Sequence, residues 1–588
     1  MANASTQRAR LVAAFGALAA AAGLASLTFA GRASARTSAP AVHVWVASEA
    51  QKVRPATKPP AADVAAAIGL DLAGADCAGA QVVISADEGL QGLTAEAAPL
   101  EGPGAPIPVS IARVATIELT RPSGPEGRAG EWPDALIPTR DALFGEARKA
   151  FPIDLAARRA QAIFVEACTQ AGAAAGRYSG KVRVGWTQAG KAASATVPIS
   201  ARVRAFDLPA TPPLVTAFGF SGYSAVKGHG LPASLNAELT RRYDLMALRR
   251  GLTLFGGTQD APAHRIKGDE VVIDWRDYDA EVAPFLDGTA LKSGARWSAV
   301  ELREPGKLTR EQRRSYRKAW MAHFEQRGWL DRLFVYVHDE PAEKLFGKVE
   351  SKAAEVRADL PKARRLVTTA VSEKLPSVDL WTPLLNCFDS GSGDTCPRQA
   401  ARDRYAPALR SGAKLWWYQS CASHGCDKEP ATDKAFLGWP SYAIDADGTG
   451  ARAMATLAFT HSIAGELYYN VVMSYEGTDP WSDPWQFGGN GDGTLYYPGT
   501  PARIGGTKDV PVETLRLIEI ARGLGDHAAL SLVSQLGDAD LARREANQLA
   551  PSIRKYSRDP AAYGEMRSRL YDRIEALTAL RKPRAERQ

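Results

Sequence analysis

Runs of positive charge are missing from this chain. Its 588 residues hold 72 Lys and Arg against 65 Asp and Glu, a formal charge of +7. Arg8, Arg10 and Arg32 supply three of those charges within the first 35 residues, where there is no acid. The remainder carries a weak excess with no basic block, which argues against nucleic acid as a partner. No Gly-x-Ser-x-Gly occurs, and Ser390-Gly391-Ser392-Gly393 is at best half of one, so a Ser/His/Asp nucleophile is unsupported. No glycine-rich phosphate loop follows any apolar run. His229 and His264 have no companion at metal-ligand spacing, and Cys421-His424-Cys426 lacks the second pair that a zinc site needs. Asn490 and Asp492 resemble part of a calcium loop, but the downstream bidentate Glu is absent and a tight glycine turn remains.

What is present begins with an export signal. Arg8 and Arg10 precede an apolar stretch from Leu11 to about Ala30, and Ala33-Ser34-Ala35 offers a small-residue cleavage pattern. An uncleaved anchor is the alternative, because the run approaches spanning length; no other membrane-spanning candidate follows. The expectation is an exported protein, periplasmic or secreted, with no integral membrane domain beyond the signal segment. The six cysteines could then form disulfides. Cys387 with Cys396 and Cys421 with Cys426 would close short loops, leaving Cys77 and Cys168, but spacing leaves the pairing open.

The length exceeds what one core can serve. From Gln81 to Pro209 short alternating runs are broken by Gly and Pro, as in Gln81 to Ser85, Gln161 to Ala167, Gly180 to Trp186 and Ala195 to Val203. That texture reads as a β-sandwich. Phe206 to Pro213 is a proline-stiffened linker. Beyond it apolar runs alternate with helical stretches: Thr216 to Phe220, Leu252 to Gly256, Leu333 to Val337, Arg365 to Ala370, Val378 to Trp381, Lys414 to Tyr418 and Leu467 to Met473. Ser234 to Arg250, Arg310 to Arg327, Ala342 to Asp359 and Ala446 to Ser462 are the clearest helices between them. This predicts a parallel (β/α)8 barrel, with one strand poorly marked near Val271 or Trp297 to Leu302; an open doubly wound sheet is the runner-up. From Pro511, placed at a helix first turn, the chain reads as helical to its end. The predicted division is a signal segment over 1–35, a sandwich over 36–212, a barrel over 213–505 and a helical region over 506–588.

The most informative local feature is Asp339-Glu340-Pro341 at the end of Leu333-Phe334-Val335-Tyr336-Val337. The C-terminal mouth of a parallel strand is where an α/β barrel keeps its chemistry. Neighbouring strand residues point to opposite sides, so both carboxylates face one pocket only if the backbone turns there, which Pro341 suits. The competing reading makes them anionic residues at the start of the following helix. Other run ends deliver Trp381, Asn386 and Asp389, then Trp416, Trp417, Tyr418 and Gln419, then Tyr468, Tyr469 and Asn470. Aromatic rings stack on sugar faces, and amides or carboxylates bind hydroxyls. Of Trp416 and Trp417, one is expected in the pocket and one outside. The turn-rich segment after the last strand, with Tyr475, Trp481, Trp485 and Asn490, suits an active-site wall.

Trp132-Pro133-Asp134-Ala135-Leu136-Ile137-Pro138, Gly176-Arg177-Tyr178-Ser179-Gly180, Phe206-Asp207-Leu208-Pro209, Asp339-Glu340-Pro341, Asp479-Pro480-Trp481 and Asn490-Gly491-Asp492-Gly493-Thr494-Leu495-Tyr496-Tyr497-Pro498-Gly499 together carry a resemblance. The chain resembles the exported proteins of domain-of-unknown-function family 4091, related to glycoside hydrolase family 123, the β-N-acetylgalactosaminidases. The resemblance runs through most of the chain and implies a sandwich, a (β/α)8 barrel and a helical tail. It also implies retaining hydrolysis of a glycan in which the substrate's 2-acetamido oxygen attacks the anomeric carbon. Asp339 would orient that group and Glu340 would be the general acid/base, with no cofactor. Trp381, Asn386, Trp417, Tyr418, Tyr469, Asn470, Tyr475, Trp481, Trp485 and Asn490 are the expected substrate contacts. Tyr468-Tyr469 stands where family members carry an aromatic-Trp pair, which leaves sugar specificity open. A glycosidase of other specificity, with Asp389 or Glu466 as second carboxylate, and a non-catalytic carbohydrate-binding envelope protein are the alternatives.

Overall fold

The computed structural model describes residues 41–61, 66–256, 261–388, 402–421, 423, 426 and 437–581. The predicted signal segment, Asp389, Cys396, His424 and the charged C-terminal tail beyond 581 lie outside the described residues.

Ten strands build the first part: β1 Val42–Ser48, β2 Ile68–Gly74, β3 Cys77–Ala86, β4 Leu90–Ala97, β5 Val109–Leu119, β6 Gly130–Pro138, β7 Ile153–Leu155, β8 Ala160–Cys168, β9 Gly176–Gln188 and β10 Lys191–Asp207. They form two five-stranded sheets, ordered β1-β3-β8-β5-β6 and β2-β10-β9-β4-β7. The period-two pattern explains how these meet: Val82, Ile84, Ile163, Val165, Val182, Val184, Val197 and Ile199 point inward into one shared apolar core. Cys77 and Cys168 face each other on β3 and β8 and are joined as a disulfide.

The second part alternates strands and helices: β11 Val215–Gly219, α1 Gly222–His229, α2 Asn236–Arg249, β12 Leu254–Phe255, the hairpin β13 His264–Lys267 and β14 Glu270–Ile273, α3 Arg276–Asp287, β15 Val300–Glu301, α4 Arg310–Gln326, β16 Leu333–His338, α5 Phe346–Asp359, β17 Arg364–Val367, β18 Leu380–Trp381, α6 Ala406–Arg410, β19 Lys414–Tyr418, α7 Gly448–Thr460 and β20 Gly465–Tyr468. Eight of these strands pair in parallel in the order β12-β11-β20-β19-β18-β17-β16-β15. The last strand returns to the first, which rules out the open doubly wound sheet. Among the described residues the one gap in the ladder lies between β12 and β15. Side chains bridge it: Ser298 N donates to Thr253 Oγ1 at 2.8 Å, Thr216 N donates to Ser298 Oγ at 3.1 Å, and Arg303 Nη2 donates to Gly256 O at 2.6 Å. The poorly marked strand is thus Val300–Glu301, while Val271 belongs to the hairpin. The last strand begins and ends earlier than the predicted Leu467 to Met473, because Asn470 Oδ1 accepts from Val472 N at 2.7 Å and turns the chain.

After the barrel come the hairpin β21 Trp485–Gln486 and β22 Gly489–Asn490, then β23 Tyr496–Gly499, α8 Pro501–Ile504, β24 Val510–Glu513, α9 Leu515–Gln535, α10 Ala539–Leu549 and α11 Pro560–Arg581. Pro511 is not a helix start. It lies in β24 opposite Pro498, a pair in which neither residue could donate a ladder bond, and α9 starts beyond it under a Thr514 cap. Leu515 and Ile518 of α9 pack with Trp45, Val83 and Leu136 of the first sheet, and Leu517, Leu524 and Leu530 with the barrel's helices. A helix buried on every side must bury its charges too, and α9 pairs most of them, while Glu519 is buried with no hydrogen-bond partner and its pKa is pushed up to about 8 by burial. Arg516 binds Asp134, Arg522 binds Glu49 and Glu166, and Asp526 accepts from Arg452 and Arg567. Among the described residues no helix is long and apolar enough to cross a membrane.

Candidate active site

The inward series of the barrel strands includes Ala217, Phe255, Ala299, Phe334, Leu366, Leu380, Trp416 and Leu467, with Tyr336 and Tyr418 above them. These fill the barrel as a packed core, so a ligand reaches only its C-terminal mouth. Two local distortions bring Asp339 and Glu340 there. The register between β16 and β17 slips between Tyr336 and His338, and Glu340 adopts a left-handed φ of 40°. A bulge re-aims side chains, and a left-handed non-glycine residue is held by its surroundings. Both carboxylates end up exposed.

Each carboxylate is gripped by a tyrosine. Tyr336 Oη and Thr368 Oγ1 donate to Asp339 Oδ1 at 2.7 and 2.9 Å, and Thr368 Oγ1 accepts from Glu340 N at 2.6 Å. Tyr418 Oη, three strands away on β19, donates to Glu340 Oε1. Burial and the neighbouring carboxylates push both phenol pKa values up, so the tyrosines remain donors at any working pH. His338 has its Nδ1 2.7 Å from the Asp339 carbonyl oxygen. The helix-capping alternative is not what forms: a short 3-10 turn over Glu343–Leu345 precedes α5, and neither turn nor helix has a side-chain cap.

The other expected contacts are spread out. Tyr469 follows β20 at the mouth, its ring edge-on to Phe487 with centroids 5.3 Å apart. Trp416 turns inward and Trp417 outward, the reverse of the expected assignment. The phase is set by Leu415 and Trp417, which pack against the surrounding helices together with Trp381. Asn386 is buried and donates to Ser423 O at 2.6 Å. Asn470 serves its own turn, and Tyr475 is buried against Tyr243 with hydroxyls 3.2 Å apart. Trp481 donates to Pro498 O at 3.1 Å, Trp485 lies 3.7 Å beneath the Arg121 guanidinium, and Asn490 Nδ2 donates to Arg121 O at 2.9 Å. The segment carrying them is anchored to the loop that follows β5. Glu466 faces outward, bonded to Tyr442 Oη at 2.5 Å, with burial raising its carboxyl pKa to about 7. It is no partner for Glu340. Cys421 and Cys426 are joined as a disulfide beside the segment.

Tyr336 and Thr368 are site residues that sequence reasoning missed, as was the buried carboxylate Glu301 on the neighbouring strand. Glu301 pairs in register with the inward Phe334 on the strand beside β16, and Arg303 Nε lies 3.3 Å from its carboxylate. Burial raises its carboxyl pKa against the pull of Arg303 and Lys352. For Tyr336 the period-two step from Phe334 was the available signal; nothing local marks the other two.

No protein-family model matches this chain, and no curated protein matches it. Among solved structures, it is similar to a family 123 glycoside hydrolase from Clostridium perfringens, described for glycolipid glycan hydrolysis. The TM-score is 0.62 at 11% identity, over 91% of this chain and 98% of that one. A GH10 xylanase with a bacterial Ig-like domain from termite gut matches at TM-score 0.27 and 9% identity, over 62% of this chain and 90% of that one. β-Glucuronidase 3 of Bacteroides uniformis matches at 0.25 and 11%, over 83% and 52%. The first likeness shows a shared fold along nearly the whole chain; the other two carry no argument.

Proposed function

We propose that this chain is an exported retaining glycoside hydrolase that cleaves β-linked N-acetylhexosamine, of the N-acetylgalactosamine type, from glycans. The observation that carries the reading is the pair Asp339 and Glu340, presented side by side at the mouth by a bulge and a left-handed turn, each held by a separate tyrosine. The fold shared with a glycoside hydrolase and the sequence resemblance support it. Disulfides fit an oxidising compartment.

In this reading Asp339 Oδ1 is occupied by Tyr336 and Thr368, and Oδ2 accepts the N–H of the substrate's acetamido group. That contact aims the acetamido oxygen at the anomeric carbon and balances the positive charge of the oxazolinium ion that forms. Glu340 Oε2 carries the proton that passes to the glycosidic oxygen as the C–O bond breaks, while Tyr418 holds Oε1. The resulting carboxylate then takes a proton from water, which opens the oxazolinium ion from the face the leaving group vacated. Two displacements retain the configuration, and no protein nucleophile is needed.

The test is hydrolysis of aryl β-N-acetylgalactosaminide, β-N-acetylglucosaminide and the 2-hydroxy analogues by the parent and by Glu340→Gln. Phenol release by the parent alone, from N-acetyl substrates alone, is the expected result. Equal cleavage of the 2-hydroxy analogues would remove the acetamido role and with it the assignment of Asp339.

A further inference from the structure

The hairpin formed by β21 and β22 closes through only two residues, Phe487 and Gly488, with φ of 43° and 85°. A two-residue turn with both φ values positive matches the twist of the strands, and it wants Asn, Asp or Gly at its first position. The long hairpin of β9 and β10 turns the same way through Ala189 and Gly190, with φ of 48° and 73°. Phenylalanine is a poor occupant of that position, since its Cβ crowds the backbone and its ring gains no shelter. The ring is 53% exposed. The sequence has therefore placed an apolar ring in solvent at a site where a polar residue would fold better.

The hairpin's root is rigid. Arg121 stacks on Trp485, Asn490 N donates to Ser123 Oγ at 2.8 Å, Gly491 N donates to Pro484 O at 2.7 Å, and Gly489 packs so closely on Cys421 that a Cβ there would lie 2.5 Å from its sulfur. The tip meets Tyr469 edge-on, directly after β20. β20 is the neighbour of β19, whose Tyr418 grips Glu340, and strands lie about 5 Å apart. A fixed, exposed aromatic ring thus stands against the residue that follows β20, one strand over from the strand that bears Tyr418.

We infer that Phe487, steadied by Tyr469, is a stacking platform for a pyranose ring of the bound glycan, and so a substrate-binding residue of the site. The inference rests on the glycan-directed reading of the mouth, and its test separates the two. Phe487→Asn suits the turn, so the unfolding midpoint of the full chain holds or rises. Glycan binding on an array, measured in the Glu340→Gln background, falls at least tenfold, and the KM of any substrate cleaved by the parent rises by a similar factor. Phe487→Trp restores both. Unchanged binding and KM in Phe487→Asn would overturn the platform while leaving the hydrolase reading intact. Glycan binding without hydrolysis by the parent would overturn the hydrolase reading and still decide the platform through the binding ratio. A parent that binds no glycan overturns both.

Discussion

Asp339 and Asp134 are the same residue with opposite surroundings. Asp339 stands in the open mouth, held by Tyr336 and Thr368 with no cation among its hydrogen-bond donors. Asp134 is fully buried between the first sheet and α9, where Arg516 binds it through two nitrogens at 2.9 and 2.7 Å and Tyr497 adds a third bond. The same contrast separates Glu166 from the mouth pair. Glu166, bonded to Arg250 and Arg522, has its pKa pulled to about 2 in spite of burial, whereas the mouth pair is served by neutral hydroxyls. An arginine clamp neutralises a carboxylate and spends it on structure; at the mouth a tyrosine grip positions one without neutralising it.

One substitution made in both places tests this most sharply. Asp339→Asn should lower kcat on the N-acetyl aryl glycoside by about 1,000-fold or more and leave the unfolding midpoint near that of the parent, since the side chain is exposed. Asp134→Asn should do the reverse: removing one partner of a buried pair strands Arg516 at a cost of about 3–5 kcal/mol, read by denaturant unfolding, with unaltered kcat per folded molecule. If Asp134→Asn lost activity without stability, the division between the two regions would fail.

The next effect is electrostatic and again belongs to the interior. Burial lowers the His527 pKa to about 4 from the usual 6.5. A histidine depressed in the folded state contributes stability that is complete above about pH 6.5 and lost as pH falls towards 4, at most about 3 kcal/mol. Glu466, raised by burial to about 7, has the opposite sign: its protonated folded form costs stability as pH rises from about 4.5 to 7. Comparing unfolding free energies with pH, the parent should lose ground to His527→Gln on acidification and to Glu466→Gln on alkalinisation. Parallel curves would show that neither group titrates as its burial dictates. The smallest effect returns to the mouth. Tyr418→Phe removes the hold on Glu340 and should cost roughly tenfold in kcat with a displaced pH profile; an unaltered profile would mean that the bond positions nothing.

Much of the fold was legible because periodicity is local. Continuous apolar runs such as Leu333 to Val337 and Lys414 to Tyr418 can only be strands buried on both faces, and their alternation with helices calls for a parallel barrel. β12, β15 and β18 have only two residues each; the runs Leu252 to Gly256 and Val378 to Trp381 still marked β12 and β18, whereas β15 was too short to leave a clear pattern. Pro511 misled because the same residue suits a helix start and an edge strand, and only its partner Pro498 decides. In the site, the acid pair was visible from its place after a strand. Trp381, Trp417, Tyr475, Trp481 and Trp485 occupy equally suggestive places yet serve packing, since an aromatic residue after a strand suits a core as well as a sugar.

What the sequence determined by itself is whatever depends on neighbours in the chain: the strands and helices, their order, and two carboxylates and a proline where a parallel strand must end. Contacts between distant segments were decided by the tertiary structure. Glu340 meets Tyr418 across 78 residues, Asp339 meets Thr368 across 29, and Arg516 meets Asp134 across 382. Such pairs leave no trace in local spacing, because they form only once the barrel closes and α9 seats against the sheet. Which acids stand open at the mouth and which hold the molecule together is therefore a property of the closed fold.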